Sequence, residues 1–317
     1  MYHDYNMEKI AEDLKAPTKK NFILDTDTYN EIDDQFAITY AMLADNVNLL
    51  ALTAAPFMNV RVKSAGEGME KSYEEMIRVR DLVDPAGSMN VPCYRGAESY
   101  MKNTITPVRS EAAENIVRIV NETDGIVYVA VIGCFTNVAS ALLIDPSIAD
   151  KMVVLMVGSN CFGFYTCNDY NLMQDRCAAR VILECGVPVV VLPAHGGAGT
   201  GRLLTSTAEV CYYLRGKAGK IGDYLCDLMV REGGSPEEED GTCHSQDRII
   251  WDIAAVAVLR LADGAGNIQI MPAHTISPDG EEWRELKDGR DMIYIDMFRR
   301  NEILSDFFTV IRKAKLD

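Results

Sequence analysis

Four aspartates crowd one short stretch near the amino terminus, namely Asp25, Asp27, Asp33 and Asp34. Carboxylates this close together repel one another unless a cation or buried hydrogen bonds compensate their charge. Hard divalent cations such as Ca²⁺ and Mg²⁺ prefer oxygen ligands of this kind. The spacing therefore predicts a divalent metal site. Aspartates at the start of a helix also cap backbone amides and suit the helix dipole, so capping is the alternative interpretation of Asp33 and Asp34.

The residues on either side of these acids predict a strand and a helix. Residues 22–24 form an apolar run with β-propensity, and apolar residues recur with helical spacing from Asp34 to Leu43. The acids therefore lie on a strand-to-helix loop. In open α/β sheets, ligands bind in the crevice at the carboxyl ends of the strands. We expect the four aspartates to lie in such a crevice.

Further apolar runs predict the rest of a parallel sheet that is covered on both faces. They are residues 47–55, 126–132, 151–158 and 187–192. The predicted fold class is α/β, a single-domain open and mostly parallel sheet with helices on both faces and a Rossmann-like core. Residues 1–20 are predicted to be an N-terminal helical extension, and residues 21–317 the catalytic domain. Residues 207–232 are predicted to be helical, residues 275–297 to form β-structure, and residues 301–315 to form a helix.

Composition excludes several classes of function. The chain has 317 residues and a net charge of -16, which argues against a nucleic-acid partner because phosphate binding needs clustered lysine and arginine. The nine cysteines include no CxxC pair and do not suggest a disulfide framework. No apolar run is long enough to span a bilayer, and the acidic amino terminus is no signal peptide. We expect no membrane partner and a cytoplasmic location.

The aspartate stretch resembles the N-terminal signature of the inosine-uridine-preferring nucleoside hydrolases, in which a strand ends in Asp-x-Asp and Asp-Asp follows a short loop. The resemblance implies hydrolysis of the N-glycosidic bond of ribonucleosides with a bound Ca²⁺. It implies that Asp27 is a metal ligand and the general base, that Asp34 is a metal ligand, that Asp33 binds a ribose hydroxyl and that Asp25 supports the loop. One departure is that residues 28–32 make this loop longer than is usual in the family.

Two later segments resemble the family's other metal-binding motifs. Residues 133–139 resemble its Thr-Asn-x-Ala segment, which implies that the backbone carbonyl of Thr136 is a metal ligand; a helix cap is the alternative. Asp252 matches the second residue of the His-Asp pair that begins a family helix, and would complete the metal shell or merely cap that helix. Trp251 replaces the histidine. A tryptophan cannot protonate a leaving base, but it can stack on one.

A third resemblance concerns the sugar and the base. The residues 169–171 resemble the family's Glu-aromatic-Asn triplet, which implies that Asp169 contacts the 5′ end of the ribose and that Asn171 binds a ribose hydroxyl. A further family asparagine corresponds to a glycine here, so either Asn160 or Asn168 is predicted to replace it; asparagine is also a common turn former. Phe57 follows a predicted strand and is predicted to offer a surface for the base.

Two segments attract weaker hypotheses. The glycine-rich residues 195–201 lack the spacing of phosphate-binding loops. His244, at the start of a helix predicted from residue 244, is interpreted as an exposed loop histidine.

Three further expectations concern the whole protein. The family resemblance implies a homodimer or homotetramer. One rival is a haloacid-dehalogenase-type phosphatase with Asp25 as nucleophile and Asp27 as acid around Mg²⁺. The other is a non-catalytic nucleoside or sugar binder.

Overall fold

Strands and helices alternate along most of the chain. The computed structural model describes residues 6–233 and 246–314. The helices are α1 Met7–Lys15, α2 Asp33–Leu43, α3 Ala65–Val83, α4 Glu111–Glu122, α5 Thr136–Ile144, α6 Tyr170–Gln174, α7 Arg176–Glu184, α8 Thr207–Leu214, α9 Gly219–Gly233, α10 Ile253–Leu261 and α11 Arg300–Ile311. The strands are β1 Lys20–Thr26, β2 Val47–Ala54, β3 Cys93–Tyr94, β4 Val127–Val131, β5 Met152–Val157, β6 Val189–Leu192, β7 Leu204–Ser206, β8 Asp247–Ile249, β9 Asn267–Pro272, β10 His274–Ile276, β11 Trp283–Glu285 and β12 Asp291–Asp296.

The central sheet has the strand order β3-β2-β1-β4-β5-β6-β12-β9. Every neighbouring pair is parallel except β12 and β9, which run antiparallel at one edge. The order of the strands reverses direction between β1 and β4, and ligand crevices of doubly wound sheets lie at such switch points. The predicted fold class, an open and mostly parallel sheet, is confirmed.

Two apolar cores cover the two faces of the sheet. Successive residues of β1 point to opposite faces, so Phe22 and Leu24 belong to one core and Ile23 to the other. Helices α2, α10 and α11 supply the first core, and α4, α5 and α7 supply the second. Because both faces are covered, the central strands are apolar throughout, as the sequence pattern predicted.

Helix α1 packs onto the first core. It buries Ile10 and Leu14 there, and its Asp13 accepts hydrogen bonds from Tyr128 and from Lys20. The division of the chain after residue 20 stays a prediction.

Several predicted boundaries need correction. The helical stretch predicted over 207–232 is two helices, because the chain turns at Gly216 and Gly219, whose φ angles of 65° and 62° favour glycine. The helix predicted to begin at residue 244 is the short strand β8 followed by α10. His244 itself lies outside the described residues, as does most of the acidic stretch 233–241. Within the described ranges, no helix is both long enough and apolar enough to cross a membrane.

Candidate active site

The loops that follow β1, β4, β5 and β6 meet at the carboxyl edge of the sheet and line an open cavity of about 100 Å³. This is the edge at which the sequence predicted the acids. The lining includes most of the predicted site residues together with several that were not predicted. The cavity is lined by Asp27, Asn30, Glu31, Asp33, Asp34, Ile132, Val157, Asp169, Tyr170, Asn171, Ala194, His195, Trp251 and Asp252.

Hydrogen bonds fold the loop after β1 back on itself. The Thr26 hydroxyl donates to Asp34 Oδ1 at 2.6 Å and lies 2.9 Å from the Thr28 hydroxyl. Asn30 Nδ2 donates to Asp27 Oδ2 at 3.1 Å. The extra residues of this loop therefore hold the carboxylate of Asp27 in place.

Three buried carboxylates converge in the cavity. Oxygen atoms of Asp33, Asp34 and Asp252 all lie within 4.8 Å of one another. Asp27 is not one of this trio, but it lines the same cavity. Helix α2 has Ile32 at its N-cap position and no side-chain cap. Capping therefore does not explain Asp33 and Asp34.

The electrostatics of these acids call for a compensating cation. Burial raises the pKa of Asp34 to about 7, and the charge of Glu31 adds to the rise. Burial, followed by the charges of Asp34 and Asp33, holds the pKa of Asp27 well above its usual range. The pKa of Asp252 is raised by burial and then by the charge of Asp33. Clustered carboxylate oxygens with raised pKa values are the donor set that fits a hard divalent cation.

Asp25 lies behind the cavity rather than in it. The side chain is fully buried, and its Oδ1 accepts from the Thr53 hydroxyl at 2.5 Å and from Asn137 Nδ2 at 2.8 Å. Asn137 also donates to the Ala54 carbonyl at 3.0 Å and accepts from the Ala97 amide at 2.8 Å. A phosphatase nucleophile must reach its substrate, so the phosphatase interpretation of Asp25 is wrong.

The structure corrects the role predicted for Thr136. Thr136 is the first residue of α5, so its carbonyl points along the helix toward the carboxyl end. Its hydroxyl donates to Asp175 Oδ2 at 2.6 Å. The residue of this segment that lines the cavity is Ile132, directly after β4. Within this segment, Ile132 and not Thr136 is therefore the residue that lies at the cavity.

The predicted sugar ligands Asp169 and Asn171 both line the cavity. Asn171 Nδ2 donates to the carbonyls of Ile132 at 2.8 Å and Val157 at 3.1 Å, so the group that it offers to a ligand is its Oδ1. Asp169 caps α6 through its Oδ1, which accepts from the Leu172 amide at 2.9 Å.

Three predicted substrate contacts are not brought to the cavity wall. Phe57 is fully buried, and its carbonyl and ring lie against Gly68, so it offers no surface to a base. Asn160 Nδ2 donates to the Asn168 carbonyl at 2.8 Å, and Asn160 Oδ1 accepts from the His195 amide at 3.3 Å. Asn168 Nδ2 donates to Glu281. The two asparagines brace a loop instead of binding the sugar.

Trp251 does line the cavity, next to two groups that the sequence did not single out. The ring of Trp251 lies 5.9 Å from the ring of His195 at an interplanar angle of 83°. Glu31, from the extended loop after β1, lines the same cavity. Glu31, His195 and Trp251 are far apart in the sequence, and no sequence motif links them.

Comparison with known proteins agrees with this arrangement. The model of the family described as inosine-uridine preferring nucleoside hydrolase matches residues 22–285. A probable uridine nucleosidase 2 from Arabidopsis thaliana is 25% identical over 238 residues, which cover 67% of this chain and 69% of that protein. The pyrimidine-specific ribonucleoside hydrolase RihB of Escherichia coli O1:K1 / APEC is 24% identical over 236 residues, which cover 67% of this chain and 70% of that one.

Solved structures with the same fold include a purine-preferring ribonucleoside hydrolase from Gardnerella vaginalis. It superimposes with a TM-score of 0.70 at 19% identity and covers 93% of this chain and 99% of that one. A plant nucleoside hydrolase gives a TM-score of 0.69 at 19% identity, over 94% of this chain and 99% of that one. At such identities, these two matches show the fold alone.

Proposed function

Because the chain belongs to the inosine-uridine preferring nucleoside hydrolase family, as its aspartate motif predicted, we propose that it hydrolyses the N-glycosidic bond of ribonucleosides with the help of a calcium ion. The products are ribose and the free base. The observation that carries this proposal is the convergence of the Asp33, Asp34 and Asp252 carboxylates in the cavity that Asp27 and Trp251 also line. The clustered carboxylates suit a cation, and the aromatic ring of Trp251 suits a planar base.

The cation would be held by Asp27, Asp34, Asp252 and the Ile132 carbonyl. The buried carboxylates fit this role because burial and neighbouring negative charges raise the pKa of each one, which a divalent charge would reverse. When bound, the ion supplies positive charge that makes a neighbouring water more acidic and attracts sugar hydroxyls. Calcium suits a site built from several carboxylates and a backbone carbonyl, because it accepts many oxygen ligands.

The residues of the cavity then have separate roles in the reaction. Asp27 takes the proton of the attacking water as general base, held in position by Asn30. Asp33 and the Oδ1 of Asn171 bind ribose hydroxyls, and Asp169 lies at the 5′ end of the sugar. Attack at the anomeric carbon passes through an oxocarbenium-like state, which the surrounding carboxylates stabilise. Trp251 stacks on the base.

The test is ribose release from a panel of purine and pyrimidine ribonucleosides. The protein is stripped with EDTA, assayed, and assayed again after addition of Ca²⁺ or Mg²⁺. We expect ribose release only after a divalent ion is restored, with Ca²⁺ the better of the two. Asp27→Asn should abolish release, whereas Asp291→Asn, at an exposed position at the start of β12, should not change it.

Two outcomes would contradict the proposal. Ribose release that is insensitive to EDTA would remove the metal. Nucleoside binding by calorimetry without any ribose release would favour the non-catalytic binder. The panel also identifies the preferred base. The relatives named above include both a pyrimidine-specific and a purine-preferring enzyme.

We further propose a homodimer or homotetramer and a cytoplasmic location, as the family resemblance and the cysteine content predicted. Light scattering coupled to size-exclusion chromatography tests the first of these, and a monomeric mass would contradict it.

A further inference from the structure

Breaking an N-glycosidic bond leaves both bonding electrons on the base nitrogen, so a poorly leaving base departs faster with a proton donor beside it. The cavity offers few donors. The carboxylates Asp27, Asp34 and Asp252 serve the cation and the water as anions. Tyr170 donates its hydroxyl to the Met58 carbonyl at 3.3 Å, and burial, above all, raises its pKa to about 12. His195 is the histidine among the described lining residues, and histidine is the side chain suited to proton transfer near neutral pH.

The fold fixes His195 beside the surface on which a base would stack. Its carbonyl accepts from the Cys161 amide at 2.8 Å, and its amide donates to Asn160 Oδ1 at 3.3 Å. The His195 and Trp251 rings are nearly perpendicular at 5.9 Å. His195 Nδ1 and Trp251 Nε1 lie 3.7 and 3.8 Å from the Cβ position that Gly201 lacks, so both ring nitrogens lie near the same glycine. A base lying along Trp251 would therefore have its edge near the imidazole.

We propose that His195 donates the proton that the leaving base takes up, with Glu31 as the positioning residue that stabilises the protonated imidazole. This rests on the proposed N-riboside hydrolysis. Water adds to the anomeric carbon and loses one proton to Asp27. The bond between that carbon and the base nitrogen breaks, its electron pair stays on the base, and the imidazolium proton completes the neutral base. His195 is exposed, so solvent can return its proton.

Two carboxyl groups of the cavity act on His195. Glu31 from the β1–α2 loop and Asp169 from the loop before α6 both interact electrostatically with it. Burial raises the pKa of each of these carboxyls, and the positive charge of His195 opposes both rises. The nearest cation on its own loop is Arg202, which donates to the carbonyls of Phe298 and Gly197. Arg61 and Arg248 also interact with Glu31, and their positive charges lower its pKa.

The experiment compares two leaving groups in His195→Gln. One substrate is the best ribonucleoside of the panel, and the other is p-nitrophenyl β-D-ribofuranoside, whose phenolate leaves without protonation. We expect kcat on the nucleoside to fall by about 100-fold or more, the usual contribution of an acid catalyst, while turnover of the p-nitrophenyl riboside is unchanged. The alkaline fall of the nucleoside pH profile should disappear in the variant. Glu31→Gln should shift that fall to lower pH.

His274→Gln is the matched control, because the His274 ring donates its Nδ1–H to the Pro272 carbonyl and does not line the cavity. His195→Ala with added imidazole is the second variant, and partial rescue of nucleoside turnover is expected. Equal losses on both substrates, or no loss on either, would overturn the role of His195. A wild-type protein that hydrolyses neither substrate would instead overturn the proposed function itself. An unshifted profile in Glu31→Gln would remove Glu31 from the proposal.

Discussion

Replacing Gly133 by alanine tests whether the position of Asp27 sets the rate. Gly133 lies two residues after the end of β4, and a Cβ there would lie 2.9 Å from Asp27 Cγ and 3.0 Å from Asp27 Cβ. Carbon atoms pack at about 3.5 to 4.0 Å, so Asp27 must move by roughly 0.5 to 1 Å. The φ of Gly133 is not positive, so the backbone accepts alanine and the change acts through this contact.

The displacement predicts a large kinetic effect. A misplacement of about 1 Å costs about 100-fold in rate, which is equivalent to about 2.7 kcal/mol of transition-state stabilisation. Overpacking of this kind also lowers the free energy of unfolding by about 1 to 3 kcal/mol. The assay is kcat for ribose release at saturating substrate and calcium, with the calcium affinity and the melting temperature measured beside it.

Gly264→Ala is the control for the mutation itself. A Cβ at Gly264 meets only the Leu261 Cβ, at 3.5 Å, which is an ordinary contact. It should leave kcat unchanged. If Gly133→Ala kept the full kcat while Asp27→Asn abolished it, the site would tolerate a displaced base and the reasoning from geometry would be refuted.

Four further changes have distinct expected results. Trp251→Ala should lower kcat/KM by about 10- to 100-fold in steady-state assays, because stacking on a base contributes about 1 to 3 kcal/mol, while Trp251→Phe should keep most of it. Phe57→Ala should lower the free energy of unfolding in urea by about 3 to 5 kcal/mol without changing KM, because Phe57 is core and not site. Calcium affinity measured by calorimetry should weaken as pH falls through about 7, because burial raises the pKa of Asp34 to about 7 and protons then compete with the ion. Burial also raises the pKa of Asp25 to about 7, above its usual value. The stability that protonated Asp25 contributes is therefore present below about pH 4 and is lost as pH rises through 7. In EDTA, the melting temperature should fall over this pH range, and Asp25→Asn should make that fall smaller.

The sheet and the acid cluster were predictable because their signals are local. Apolar runs mark the buried strands, and acids that follow β1 must lie at its carboxyl end. Asp252 is far from Asp27 in sequence but lines the same cavity, which the family motif had implied. The position of a strand end in a parallel sheet is thus enough to bring distant residues together.

The wrong and missing predictions of site residues also have specific causes. The direction of a backbone carbonyl depends on where a helix begins, so Thr136 was chosen although the residue of this segment that lines the cavity is Ile132. The apolar side chain of Ile132 gave no sign in the sequence that this residue lies at the site. Phe57 follows a strand, as a ligand contact would, but whether an aromatic ring faces a cavity or the core depends on packing. His195 and Glu31 come from separate loops, and only the three-dimensional structure brings them to one cavity.

The hydrogen bonds of Asn137 have a consequence for how this enzyme can be remodelled. One amide joins the end of β1 through Asp25, the end of β2 through Ala54, and the loop after β3 through Ala97. Because these buried bonds share one side chain, we expect the three segments to open together in hydrogen exchange, as one cooperative unit. A loop transplanted here from a relative would succeed only if it restored its bond to Asn137. Changes of base preference are therefore best sought in loops that make no hydrogen bond to Asn137.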